Sequence, residues 1–182
     1  GRIAGLRRRI PDSTLGDFLS ALSPADIAKH LHAQILEEHR RKALEPTVLP
    51  IRAIAMDGKT NATLDEKVNR DCQKQSAKDQ ADRYVYRMVN STLISSSAAV
   101  CIDRLAIPAS TNDMGVFAAA YARLQRTYGR ANLFELLSTD AGFTSEENAR
   151  LVNDDYKAYW MALKGNQPEL YAEAQRVLLP QS

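Results

Sequence analysis

The chain has 182 residues, of which 45% are hydrophobic and 25% charged, and its formal net charge is +2. That balance fits one globular domain, or one with a small appendage, and excludes global disorder. No apolar run approaches the ~18–20 residues of a membrane span, and the basic first nine residues lead into no apolar secretory segment. Two cysteines, Cys72 and Cys101, are too few for a disulfide framework or a four-ligand zinc site, so a reduced, cytoplasmic protein is the expectation. A charge so near neutrality means that nucleic-acid binding would need a local basic patch.

Residues 1–45 read as a helical N-terminal segment. Asp12 or Ser13 can cap a helix whose Leu15, Phe18, Leu19 and Leu22 fall at i, i+3, i+4, i+7. Ser23-Pro24 opens a second helix in the N-cap, N1 manner. Its stripe is Ile27, Leu31 and Ile35, and it ends in His39, Arg40, Arg41 and Lys42. Pro46 and Pro50 mark an extended linker.

Residues 46–182 read as a mixed core. Residues 51–56 form a short buried strand, with a turn at Asp57-Gly58. Residues 59–83 are polar without apolar periodicity and read as a long loop. Residues 84–94 and 98–107 are strand-like and meet at a turn, Ser95-Ser96-Ser97. Residues 113–128 are helical, with Phe117, Ala120, Tyr121 and Leu124 on one face and Gly129 as the stop. A strand at 133–137 runs into Asp140-Ala141-Gly142. Thr144-Ser145-Glu146-Glu147 fits a capping box opening a helix to Asn153. Residues 156–163 form a strand with Trp160 in the core, and a last helix starts at Pro168. Strands joined by a hairpin are antiparallel, and strands separated by a helix can be parallel with right-handed crossovers. The fold class is therefore α/β, with a five-stranded mixed sheet and flanking helices.

Asp57 and Asp140 each follow an apolar strand and precede a small-residue turn. The carboxyl ends of strands are where sites assemble in α/β sheets. If the first and fourth strands are parallel neighbours, the two carboxylates stand side by side and repel. A divalent cation removes that penalty, and hard oxygen donors suit magnesium or manganese. The plainer alternative is that each Asp only forms a turn or caps a helix. Lys59 and Lys164 lie on the same edge and could reach DNA phosphates, or could be solvated loop lysines. Arg7, Arg8 and Arg9, with Arg40, Arg41 and Lys42, form two basic clusters suited to phosphate contacts or to a solvated surface. His30 and His32 do not share a helix face, neither cysteine has a histidine near it in sequence, and no phosphate-loop or nucleophile-elbow motif occurs.

Several stretches occur in an order that resembles the DDE transposases of bacterial insertion sequences. They are Asp12-Ser13-Thr14-Leu15-Gly16-Asp17-Phe18-Leu19, Arg41-Lys42-Ala43-Leu44, Ala55-Met56-Asp57-Gly58-Lys59-Thr60, Leu137-Ser138-Thr139-Asp140-Ala141-Gly142-Phe143 and Met161-Ala162-Leu163-Lys164-Gly165-Asn166-Gln167-Pro168. The resemblance implies an RNase H-like core and makes Asp57 and Asp140 the first two members of the acidic triad. It implies two magnesium or manganese ions, double-stranded DNA as substrate, hydrolysis and strand transfer at transposon ends, work as a homodimer or larger assembly, and a nucleoid-associated location. The family's third acid lies on a helix further downstream. Glu169 and Glu173 are the nearest acids and match no family motif. The chain, which opens on Gly1, thus reads as the N-terminal part of such an enzyme, not expected to be active by itself. The alternative is a catalytically inactive DNA-binding or interaction module derived from a truncated transposase.

Overall fold

The computed structural model describes residues 11–76, 81–165 and 167–178. In chain order the elements are α1 (Asp12–Ala21), α2 (Pro24–Arg40), β1 (Ala53–Leu64), β2 (Gln73–Gln75), β3 (Arg83–Leu93), β4 (Val100–Ala106), α3 (Asp113–Tyr128), β5 (Leu136–Thr139), α4 (Glu146–Asp154), β6 (Ala158–Met161) and α5 (Pro168–Leu178).

The strands form one mixed sheet of six strands, one more than the sequence suggests. β1 lies between β3, which is antiparallel to it, and β5, which is parallel, and β6 extends the parallel side. β4 and the short β2 pair with different lengths of the outer edge of β3. The order β4-β3-β1-β5-β6, with three antiparallel strands followed by two parallel ones, is that of an RNase H-like α/β fold.

Alternation sorts the side chains onto two faces. Ile54, Met56, Val89, Leu93 and Leu137 point to one of them and are sealed by Ile35 of α2, Phe117 and Leu124 of α3 and Val152 of α4. Helix α3 buries Val116, Phe117, Ala120, Tyr121, Leu124 and Tyr128, a single helical stripe, and Asn112 caps it by accepting from Gly115 N at 3.0 Å. Buried Asp103 of β4 ties two helices to the sheet. Its Oδ1 lies 2.9 Å from His32 Nε2 of α2 and accepts from Arg123 of α3 at 2.8 Å. The proline segment before β1 is anchored on the β3–β4 turn, where the Ser95 carbonyl accepts from the Thr47 and Val48 amides at 2.9 and 3.0 Å.

Three sequence expectations are corrected. The chain does not turn at Asp57-Gly58: β1 continues to Leu64, paired with β3 as far as Leu64↔Tyr84, with a bulge between Thr60 and Ala62. The polar stretch that follows is therefore strand up to Leu64 and again at 73–75, because residues on the uncovered face need not be apolar. Trp160 is not core. It stands 71% exposed, because β6 is an edge strand and no described helix covers that face. Smaller shifts concern caps. Ser145, not Thr144, caps α4, and α1 starts after Pro11 with no side-chain cap. Helices α1 and α5 contain no buried residue, so Leu15, Phe18, Leu19, Leu170, Val177 and Leu178 are exposed.

Candidate functional site

The parallel register of β1 and β5 pairs Met56 with Thr139. Asp57 and Asp140 are the next residues on each strand, so the two acids lie adjacent at one edge of the sheet. Both are exposed, and Asp57 alternates along β1 with the core residue Met56. Asp57 projects from the middle of β1 and makes no hydrogen bond or ion pair with any described residue. Asp140 closes β5 in an Asx-type turn, in which its Oδ1 accepts from Gly142 N at 3.0 Å. The loop behind it is held from three sides. Asn148 donates to the Phe143 carbonyl at 2.7 Å, Thr144 Oγ1 to the Ala162 carbonyl at 2.7 Å, and Gln167 to the Thr144 carbonyl at 2.7 Å.

A third carboxylate approaches from the covered face. Asp113, the first residue of α3, packs so close to β1 that a Cβ on Gly58 would fall 2.2 Å from its Oδ1 and 2.8 Å from its Cγ. A Cβ on Gly142 would lie 3.6 Å from Asp113 Oδ2 and 3.2 Å from Asp140 Oδ1. Gly58 thus lets the start of α3 reach the sheet, whereas a Cβ on Gly142 would meet Asp113 only at ordinary contact distance. Arg87 of β3 answers the Asp113 charge, with one guanidinium nitrogen 2.6 and 2.9 Å from its two oxygens. Among the described residues no set of three or more His, Cys, Asp or Glu is arranged to hold a metal ion. The carboxylates that the strand register brings side by side are Asp57 and Asp140.

A polar row crosses the open face from Asp57. Asn90 of β3 is its cross-strand partner, and Arg104 of β4 is the partner of Asn90. Arg104 Nε donates to Asn90 Oδ1 at 2.9 Å. Lys59 stands on the same face two residues beyond Asp57 and is exposed. Together with Asn61 and Thr92 these side chains line an open cleft of about 500 Å³. Sequence reasoning found Lys59 but missed Asn90, Arg104, Asp113 and Arg87. The first two are visible only through register, and the last two only through the approach of α3.

Of the other sequence candidates, Lys164 is exposed in the turn after β6, where its carbonyl accepts from Gln167 N at 3.0 Å. That turn is fixed to the end of β5 by Ala162 N donating to the Thr139 carbonyl at 3.2 Å, which puts Lys164 on the Asp140 side. Arg7, Arg8, Arg9 and Asn166 lie outside the described residues. Arg40 and Arg41 close α2 in pairs with Glu37 and Glu38, as solvated helix cations do. Burial raises the Cys101 thiol pKa, with Arg104 acting the other way, which disfavours a reactive thiolate. No described helix is long and apolar enough to cross a membrane.

No family model matches the sequence, and no curated protein does. Among solved structures, the chain is similar to one in the cryo-electron-microscopy structure of the simian T-cell lymphotropic virus intasome in complex with PP2A regulatory subunit B56 gamma. Identity is 12%, the TM-score is 0.34, and the match covers 74% of this chain and 40% of that one. The match thus spans about two fifths of that chain, and a likeness at this level assigns neither residues nor an activity.

Proposed function

We propose that this chain belongs to a DDE-type DNA transposase, with Asp57 and Asp140 as the first two carboxylates of its phosphodiester-cleaving site. The observation that supports this reading is the parallel β1–β5 register, Met56 opposite Thr139, after which the chain carries Asp57 on one strand and Asp140 on the other although they are far apart in sequence. The donor set fits a hard divalent cation. Magnesium is commonly held by one or two carboxylates, with waters and substrate phosphates completing the shell, and Asp57 makes no competing hydrogen bond among the described residues. Bound there, magnesium or manganese would supply a Lewis acid and an activated water for attack on a phosphodiester. The protein's own part is to hold Asp140 in its Asx turn, to keep Asp57 facing solvent, and to offer Lys59 and Lys164 to the DNA backbone on that side.

A second reading, a DNA-binding module without catalysis, is favoured by one observation: among the described residues no third acid, Asp113 included, is arranged with the pair to hold a metal ion. Manganese titration by calorimetry on the parent chain, Asp57→Asn and Asp140→Asn tests the metal site. The expected result is heat of binding in the parent and none in either variant. A parent that takes up no manganese refutes the site. DNA binding by a parent that takes up no manganese selects the second reading.

A further inference from the structure

We propose that the cleft walled by Lys59, Asn61, Asn90 and Arg104 is an anion subsite that seats a backbone phosphate of the DNA strand running past Asp57. Two cations converge on it, and neither has a carboxylate partner among the described residues. By contrast Arg40, Arg41, Arg87, Arg123, Arg150 and Arg176 are all paired with acids. Arg104 is also pre-oriented. Its Nε is engaged by Asn90 Oδ1, which holds the guanidinium over the sheet and leaves its terminal amino groups without a described protein acceptor. A fixed planar donor of this kind suits phosphate better than a freely rotating ammonium does. Asn90, with its oxygen occupied by Arg104, has its NH₂ left to donate.

The spacing agrees with a single phosphate seat. Arg104 is two strand spacings from Asp57, about 10 Å across the sheet. Lys59 is two residues along β1, about 7 Å away. The two displacements run at right angles, one along β1 and one across the sheet, so Lys59 and Arg104 flank a single seat beside Asp57 from two sides. The subsite relies on the proposed function only for that position relative to a cut; its capacity to bind DNA requires no metal.

The test is fluorescence anisotropy of a short labelled duplex, and of its single strand, on the intact chain in EDTA across ~50 to ~200 mM salt. Arg104→Ala and Lys59→Ala should each weaken binding regardless of DNA sequence and make the log–log salt slope shallower by ~0.9. The affinity lost across that salt range would then shrink by about 3.5-fold per variant. Arg104→Lys should keep most of the slope. Arg150→Ala, which removes a charge paired with Glu146 on α4, should leave it unchanged. Thermal melts of these surface variants confirm that they are folded. Unchanged slopes in Arg104→Ala and Lys59→Ala overturn the subsite, as does a parent that binds neither probe at the lowest salt. Because EDTA removes any metal, a failed manganese titration with these slope changes intact rejects the carboxylate site and leaves the subsite standing.

Discussion

Replacing Gly58 with alanine probes the edge where α3 meets the two acids. In a strand interior alanine is ordinarily better than glycine by ~0.5–1 kcal/mol. Here the added methyl would fall 2.2 Å from Asp113 Oδ1, far inside contact distance. Either the strand shifts, which for overpacking costs ~1–3 kcal/mol, or Asp113 rotates away from Arg87. The second escape gives up charge-assisted hydrogen bonds worth ~1.5–3 kcal/mol, between side chains only 21% and 24% exposed. Subtracting the intrinsic gain leaves a net loss of about 1–2 kcal/mol. At ~2–4 °C per kcal/mol for a chain of this size, Tm should fall by about 2–8 °C. The control is the same substitution in an Asp113→Ala background, where the obstructing oxygens are gone and alanine should be neutral or stabilising. Urea denaturation of all four chains would give a coupling energy of ~1–3 kcal/mol. An equal effect of Gly58→Ala in both backgrounds refutes the reasoning, because the glycine would then not be making room for Asp113.

Asp103→Ala removes the shared partner of His32 and Arg123 and leaves a partly buried guanidinium unpaired. The expected loss in chemical denaturation is ~3–5 kcal/mol, and a loss below ~1 kcal/mol would show that the network is relayed through water. Ser145→Ala deletes the α4 cap, which accepts from Asn148 N at 3.1 Å, and should cost ~1 kcal/mol by the same assay. Alkaline stability gives a further check. Burial raises the pKa values of Tyr121 and Tyr128, so the folded state keeps those phenol protons when the unfolded chain has lost them. The associated stability is complete below the unfolded value of ~10 and is lost as pH rises from there towards the folded values. Tyr121→Phe should flatten that alkaline decline in a pH series of thermal melts, and an unchanged slope would contradict the assignment.

Much of the architecture was legible because periodicity reports burial. The α3 stripe, the Ser23 cap and the β3–β4 hairpin all follow from local patterns, whereas the adjacency of β1 and β5 entered the sequence reading only as a condition. What was illegible lies where the core exerts no pressure. Lys59 to Leu64 is polar because one face of β1 is open, so it reads as loop although its backbone pairs with β3. Gly58 looks like a turn former, but its missing side chain makes room for Asp113. Trp160 looks like core by residue type, yet it stands on an edge strand beside Leu49, Ile51, Ile94 and Leu136. At the site, Asp57, Asp140 and Lys59 carry local signals. Asn90 and Arg104 carry none, since only cross-strand register brings them to Asp57.

The parallel pairing of β1 with β5 has a consequence for the time at which a site comes into being. The β1–β3–β4 meander is built from near neighbours, whereas about 80 residues separate Asp57 from Asp140. Closing a loop of that length is the slow, entropically expensive kind of step, paid before its contacts give anything back. A nascent chain that has made only the meander presents Asp57 on an open hairpin edge with no second carboxylate beside it. Any ion that requires both acids is therefore blind to every partly folded form and binds the finished sheet alone. Such an ion present at ~100 times its Kd would add ~2.7 kcal/mol to the stability of the native state, so the site would also act as a lock on the docking of β5.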